Sequence, residues 1–280
     1  MKKKLAIAVL AGGDSAERKV SQISGAAVAK ALQKSGFRVS TFDPKNEIEK
    51  FLAARDSFDV VFPALHGRGG EDGLIQKLLE KIKIPFVGST KIGMQNSFDK
   101  VRAKKIYRKN NLPVAREQIF KKKSPAKLKL PLPVFVKPVR EGSSFGATLV
   151  RCESQFFAAL KKSWKFGDAL VEEFLSGTEI SVGVLENPTG KLRALPPIEI
   201  CSKNKFFDFA VRAHQKLKLR HLSRTDMIVV GAKIFVLETN TLPGFTPNSL
   251  FPKEAAAAGI VFSKLCERLI RLPLRRKKQK

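Results

Sequence analysis

The chain has 280 residues, 43% of them hydrophobic, enough to bury one large core or two to three modest ones. No apolar run approaches the ~20 residues of a bilayer-spanning helix, and the widely separated Cys152, Cys201 and Cys266, without CxxC spacing, argue against a disulfide framework or zinc site and fit a reducing cytosol. Fifty-three Lys and Arg against 25 Asp and Glu give a net charge of +28. That raises nucleic acid as a partner, but the basic residues are scattered and no RNP-like, finger or basic-heptad motif accompanies them, so a lysine-rich solvated surface is the better reading.

In chain order, LAIAVLA is a first strand. After three lysines it also resembles a signal peptide, but seven apolar residues are at the short limit for one, and AGGDSAE leads straight into a helix from Ser21 to Ser35. FRVSTFD is a second strand, IEKFLAA a helical stretch, and FDVVFPAL a third strand ending at HGRGGEDG, before a helix from Leu74 to Lys81. Strands alternating with helices predict a parallel, doubly wound sheet for roughly the first 90 residues. Its ligands bind at the carboxyl ends of the strands, where both Gly-rich loops fall. A second, α+β region begins with a helix over 97–110 and the basic stretch KKKSPAKLKLPLP. It continues with strand PVFVKP, loop VREGSSFGA, strand TLVRC, a helix over 154–164 and strand DALVEEFL. From about Thr178 short strands alternate (EISVGVLE, LRALPPIEI, TDMIVV, KIFVLETN), closing with an amphipathic helix over 253–271 and a basic tail over 272–280. The expected domains are therefore 1–90, 91–177 and 178–280.

The most specific feature is KIFVLETNTLPGFTPNSL. Strand alternation places Ile234, Val236, Glu238 and Asn240 on one face and Phe235 and Leu237 on the other. Glu238 and Asn240 then point the same way, as hard oxygen ligands of Mg²⁺ must. A three-residue turn, Gly231 to Lys233, sets Asp226 directly opposite Glu238; a two-residue turn spoils the register by one position. In PVFVKPVREGSSFGA, Lys137 ends a strand within reach of a nucleotide phosphate, and GSSFG offers backbone N–H groups to phosphate oxygens. The spacing is not that of a Walker P-loop. Lys100 is a further phosphate candidate, and Glu172, Glu173 and Glu179 are carboxylates placed for adenine or ribose. In the crevice loops, Glu17 sits near a helix start and His66 follows a strand end; His214 and His221 have no such context.

GGDSAERKVS, ALHGRGGEDG, SFDK, PVFVKPVREGSSFG, EEFLSGTE, RTD and LETNTLPGFTPNSL, in that order, resemble the D-alanine–D-alanine ligases of the ATP-grasp superfamily from about Leu5 to Gly259. The resemblance implies an α/β, three-domain ATP-grasp architecture: a Rossmann-like N-terminal domain and two α+β lobes that hold ATP between them. It implies that Lys100 and Lys137 contact the ATP phosphates, and that Glu172, the backbone from Glu173 through Phe174 to Leu175, and Glu179 hold adenine and ribose. Asp226, Glu238 and Asn240 would bind two Mg²⁺, with Mn²⁺ as an alternative ion. Glu17 and Ser143 would position the first D-alanine with His66 nearby, and Ser249 and Leu250 would take the carboxylate of the second. Arg224 and the backbone of Gly244 would stabilise the oxyanion. A cytoplasmic homodimer supplying peptidoglycan synthesis follows from the same resemblance, with ATP and D-alanine as small-molecule partners and no membrane.

One stretch departs from the family. Its members carry a mobile loop with an Asp-Tyr-Glu-x-Lys-Tyr-like stretch and then a helix, and here FFDFAVRAHQKLKLRHLSRTD replaces both. Phe209 stands where the first Tyr is expected, Ala213 where the last is, Arg212 is a substitute for the Lys, and His214 reads as an exposed linker residue. The alternatives are a ligase with another acceptor, such as D-lactate, or a weakly active nucleotide-binding relative.

Overall fold

The computed structural model describes residues 4–122, 127–197, 205–246 and 248–276. Cys201, the first three residues, part of the basic stretch after Phe120, the end of LRALPPIEI and the last four tail residues lie outside them.

The N-terminal strand reading holds. β1 (Ala6–Leu10), β2 (Arg38–Phe42) and β3 (Val60–Pro63) form a parallel sheet in the order β2-β1-β3. Among the described residues IPFVGS adds one parallel bridge, from Val61 to Phe86. The alternation of β1 sorts its side chains to two cores. Ile7 and Val9 pack against α1 (Arg18–Lys34), and Ala8 and Leu10 against α2 (Pro44–Ala53) and α3 (Leu74–Lys81).

The helix expected over 97–110 starts three residues later, and residues 97 and 98 end a separate helix before it. α4 (Lys91–Phe98) and α5 (Lys100–Lys109) meet at Asp99, whose backbone is extended and whose side chain accepts the Arg102 N–H at 3.0 Å, capping α5. A short strand that the sequence does not announce, β4 (Glu117–Phe120), opens an antiparallel sheet ordered β4-β7-β5-β6. Its other members are β5 (Val134–Pro138), β6 (Thr148–Val150) and β7 (Ala169–Glu173), and α6 (Glu153–Trp164) covers one face.

β8 (Thr178–Glu186), β9 (Leu192–Ala194), β10 (Leu222–Val230) and β11 (Lys233–Asn240) form the third sheet, ordered β11-β10-β8-β9. The hairpin turn is the two-residue one: Val230 pairs with Lys233. A β-bulge between Asp226 and Met227 then restores the register, so Asp226 still lies opposite Glu238. The bulge also divides the face expected to be shared. Ile234 and Val236 are buried in the core behind the sheet, while Leu237 joins Glu238 on the crevice side.

The segment read as a loop replacement is a helix, α7 (Lys205–Lys216). Phe206, Ala210 and Ala213 recur along one side and fill the core between β8, β10, β11 and α5. Ala213 is therefore behind the sheet and not across from Glu17. Arg212 donates to Asn110 O and Asp208 and stacks on Phe209, away from the crevice. His214 is buried, its Nδ1 2.8 Å from Ser223 Oγ, and burial pulls its pKa down to about 4. The closing helix is likewise two, α8 (Leu250–Ala257) and α9 (Phe262–Arg276), broken at Gly259 with φ +79°. α9 runs through most of the expected tail, and its Leu265, Cys266 and Leu269 pack on the first sheet with Ile7 and Val9.

Candidate active site

The floor of the crevice is the solvent-facing side of β8, β10 and β11. Opposed residues in antiparallel strands project to one face, so two cross-strand rows lie side by side. One is Ser181, Asp226 and Glu238; the other is Gly183, Arg224 and Asn240. Asp226 gathers this floor. Its Oδ1 accepts from Ser181 Oγ at 2.5 Å and Arg224 Nε at 2.9 Å, and its Oδ2 from Arg224 Nη2 at 2.7 Å and Asn240 Nδ2 at 2.9 Å. Glu238 is held below the usual carboxylate range: burial works against its charge, but Lys100, Lys137 and Arg224 outweigh it. Lys100, at the first turn of α5, is 3.6 Å from Glu238 Oε2 and also donates to Glu141 O.

The wall comes from β5 and β7. Lys137 lies 2.5 Å from Glu172 Oε2, and Lys104, one turn along α5 from Lys100, pairs with the other oxygen. Lys104 also reaches Glu117, 3.2 Å away, which lies directly opposite Glu172 on β4. Like charges opposed across strands repel, and the lysine between them removes that cost. Burial raises the Glu172 pKa, but Lys137 and Lys104 overcome it and hold the group at about 2. Glu173 turns the other way, taking the N–H and Nε of Arg116 at 2.8 and 2.6 Å. The N–H of Phe174 is bonded to Pro133 O, and its ring is exposed, with Leu175 half-buried beside it. Glu179 lines the crevice further along β8.

At the N-terminal lip, Ser143 Oγ donates to Glu17 Oε1. Ser143 and Ser144 have φ of +45° and +58°, a left-handed conformation that costs free energy in non-glycine residues and marks functional loops. Gly67 and Gly142 make room for the Glu17 carboxylate: a Cβ on either would stand 2.7 or 3.1 Å from its Oε2. Glu71 lies behind, accepting the Gly67 N–H at 2.8 Å; burial, with Glu17 and Glu238 nearby, raises its pKa to about 8.

His66 does not face the crevice. Its Nδ1 is 3.1 Å from Leu242 O and its Nε2 3.2 Å from Ser24 Oγ, and burial lowers its pKa to about 4. The neutral ring donates to the carbonyl and accepts from the serine, pinning the loop after β11 to α1. At the far end, Ser249 precedes α8, and its Oγ accepts the Thr246 N–H at 3.1 Å and lies 2.7 Å from Thr246 Oγ1. Gly244 packs so close that a Cβ would fall 2.6 Å from Ser249 Oγ, and Leu250 lines the crevice.

The cavity bounded by Lys100, Lys137, Ser143, Arg224, Glu238 and Leu250 encloses about 320 Å³. A roomier concavity of about 700 Å³, lined by Arg55, Asp59, Lys83 and Arg271, lies at the other end of the first sheet, away from all these groups. Sequence reasoning missed Ser181, Lys104 and Glu141. Ser181 had a signal, two residues after Glu179 on the same strand face; Lys104 was one of many lysines.

The model of the D-ala D-ala ligase N-terminus matches residues 40–89, and that of the C-terminus matches 101–212 and 208–271. The D-alanine–D-alanine ligase of Syntrophobacter fumaroxidans is 42% identical over 97% of this chain and 98% of its own length. This chain belongs to the D-alanine–D-alanine ligase family. The Geotalea uraniireducens ligase is 40% identical over 94% of each chain. Among solved structures, the D-alanine–D-alanine ligase of Bacillus anthracis complexed with ATP superposes with a TM-score of 0.86 at 28% identity, covering 98% of this chain and 99% of that one. The ligase of Coxiella burnetii gives 0.88 at 27% identity, covering 99% and 97%. The fold is thus the ATP-grasp fold of these ligases. The alignment with the Syntrophobacter ligase runs over 307 positions, more than the 280 residues of this chain, so that relative has residues with no counterpart here. The two C-terminal matches overlap at 208–212, in the middle of α7.

Proposed function

We propose that the chain is an ATP-dependent carboxylate–amine ligase that joins two D-alanines into D-alanyl-D-alanine. The observation that carries this reading is the floor: Asp226, Glu238, Asn240 and Arg224 share one sheet face, opposite Lys100 and Lys137 and beside the Ser143–Glu17 pair. Lys100 and Lys137 bind phosphate oxygens, with Glu179 and the strand end at Glu173 to Leu175 placed for the nucleoside. Glu17, oriented by Ser143, takes the ammonium of the first D-alanine, whose carboxylate accepts the γ-phosphoryl group to give an acyl phosphate. The amine of the second D-alanine attacks that carbonyl. Arg224 and the Gly244 backbone steady the oxyanion, Ser249 and Leu250 hold the second carboxylate, and phosphate leaves. Such chemistry depends on positioning and charge neutralisation.

The donor set fits Mg²⁺, with Mn²⁺ as the alternative: two carboxylates and an amide whose Nδ2 is engaged by Asp226, leaving hard oxygens as the ligands on offer. Two ions held by Asp226, Glu238 and Asn240 would neutralise phosphate charge. The three-lobe division at 90 and 177, the cytoplasmic setting, the homodimer and the supply of peptidoglycan precursor belong to the same reading. D-alanine-dependent ADP release tests it: the native chain turns over, and Glu238→Ala lowers kcat about 10³-fold. ADP release indifferent to D-alanine removes the reading, and D-lactate as the better acceptor replaces its second substrate.

A further inference from the structure

Beside Arg224 lies a carboxyl group that this reaction scheme does not use. Glu254 stands one turn along α8 from Leu250, on the same side of the helix, and it is fully buried. Neither of its oxygens is in a well-formed hydrogen bond among the described residues; burial raises its pKa to about 7, outweighing the Gly183 N–H, which favours its charge. A buried carboxyl so poorly satisfied is costly, and its position requires a reason.

The strand register supplies one. Arg224 lies opposite Gly183 across β10 and β8, and opposed residues project to the same face with Cβ atoms about 5 Å apart. Gly183 has no side chain, and a Cβ built on it would fall 2.4 Å from Glu254 Oε2. The Glu254 carboxyl therefore occupies the place of Arg224's cross-strand neighbour, delivered from a helix instead of the strand. On its other flank Arg224 faces Asn240, and its guanidinium is tied to Asp226 through Nε and Nη2. Burial disfavours the Arg224 charge, but Asp226, Glu254 and Glu238 together raise its pKa. Were Asp226 to serve a metal ion, Glu254 would be the carboxyl left beside the guanidinium.

We propose that Glu254 is a positioning residue for Arg224, keeping its guanidinium over the crevice floor from the flank that Gly183 leaves open when Asp226 is engaged elsewhere. The proposal rests on the ligase reading for its kinetic consequence alone. Glu254→Gln keeps the volume and removes the charge, and Glu254→Asp keeps the charge. The Arg224 Nε–H resonance, assigned through Arg224→Lys, is followed as Mg²⁺ and ADP are added. In the native chain and in Glu254→Asp it stays sharp; in Glu254→Gln it broadens. In the assay Glu254→Gln lowers kcat about tenfold with the KM for ATP unchanged, and adds nothing to Arg224→Lys. A resonance that responds alike in native and Gln chains overturns the proposal, whether or not the chain turns over. A native chain without D-alanine-dependent turnover sinks the ligase reading instead, and the resonance comparison still decides the role of Glu254.

Discussion

Two charged groups face each other across the crevice, and they are built on opposite principles. On the wall, Glu172 is 4% exposed between Lys137 and Lys104, the latter 1% exposed. On the floor, Asp226 and Glu238 are half-buried and carry Arg224 and Lys100 as counter-ions. The wall has been desolvated once, on folding, with Glu172 and Lys104 sealed in it and only Lys137 opening onto the crevice. The floor stays wet enough for its carboxylates to exchange protein cations for others. A rigid wall that sets the nucleotide and a floor whose pairings can be remade are the two things phosphoryl transfer requires.

Breaking the wall should therefore cost stability first. Glu172→Ala strands Lys137 and leaves Lys104 with Glu117 alone, and removing one partner of a buried ion group typically costs about 3–5 kcal/mol. Urea denaturation should show a loss of that size, against about 1 kcal/mol or less for Glu238→Ala on the floor. Equal losses for the two variants would erase the distinction.

Acid sharpens the same contrast. Glu172 is held at about 2 against 4.5 in the unfolded chain, so its stabilisation is complete above about pH 4.5 and is lost as pH falls toward 2, amounting to about 3 kcal/mol. His66 and His214, near 4 in place of 6.5, are neutral when folded. The unfolded chain protonates first, and stability falls between pH 6.5 and 4. Glu71 and Glu254, raised to about 8 and 7, have the opposite sign and add stability as pH drops toward 4.5. The two sets offset each other above pH 4.5, so stability should be nearly level from pH 6.5 to 4.5 and then fall steeply. Glu172→Gln should shrink that steep limb, and a limb of unchanged size would detach it from the wall.

Floor and wall also differ in how far the sequence reveals them. Period-two alternation, with the Glu238 carboxylate and the Asn240 amide on one face of LETN, points to the floor directly, and Asp226 faces Glu238 as expected, but by a different route. A two-residue turn and a bulge compensate each other, and alternation cannot show two opposite one-residue shifts that cancel in register. The wall's Lys104 is hidden among 53 basic residues because only the β4–β7 pairing, a long-range contact, makes it necessary. α7 was hidden for another reason. The family's spacing suggests a missing helix, whereas Phe206, Ala210 and Ala213 already carry a helical apolar stripe, and local periodicity is the better guide where the chain is shortened. The break at Asp99 had its own signal, an aspartate placed to cap the first turn of α5.

The smallest expected effect tests the floor most directly. Ser181 Oγ bonds Asp226 Oδ1 at 2.5 Å from the neighbouring strand, and a hydroxyl that orients a ligating carboxylate affects metal affinity more than folding. Ser181→Ala should raise the Mg²⁺ concentration for half-maximal turnover about tenfold and change stability by about 1 kcal/mol or less. Ser181→Thr, which keeps the hydroxyl, should restore the Mg²⁺ response. If the alanine variant instead loses stability with its Mg²⁺ response intact, then the hydroxyl is a structural bond like those of the wall. Asp226 would then be oriented by Arg224 and Asn240 alone, and the exchangeable part of the floor would shrink to Glu238 and Lys100.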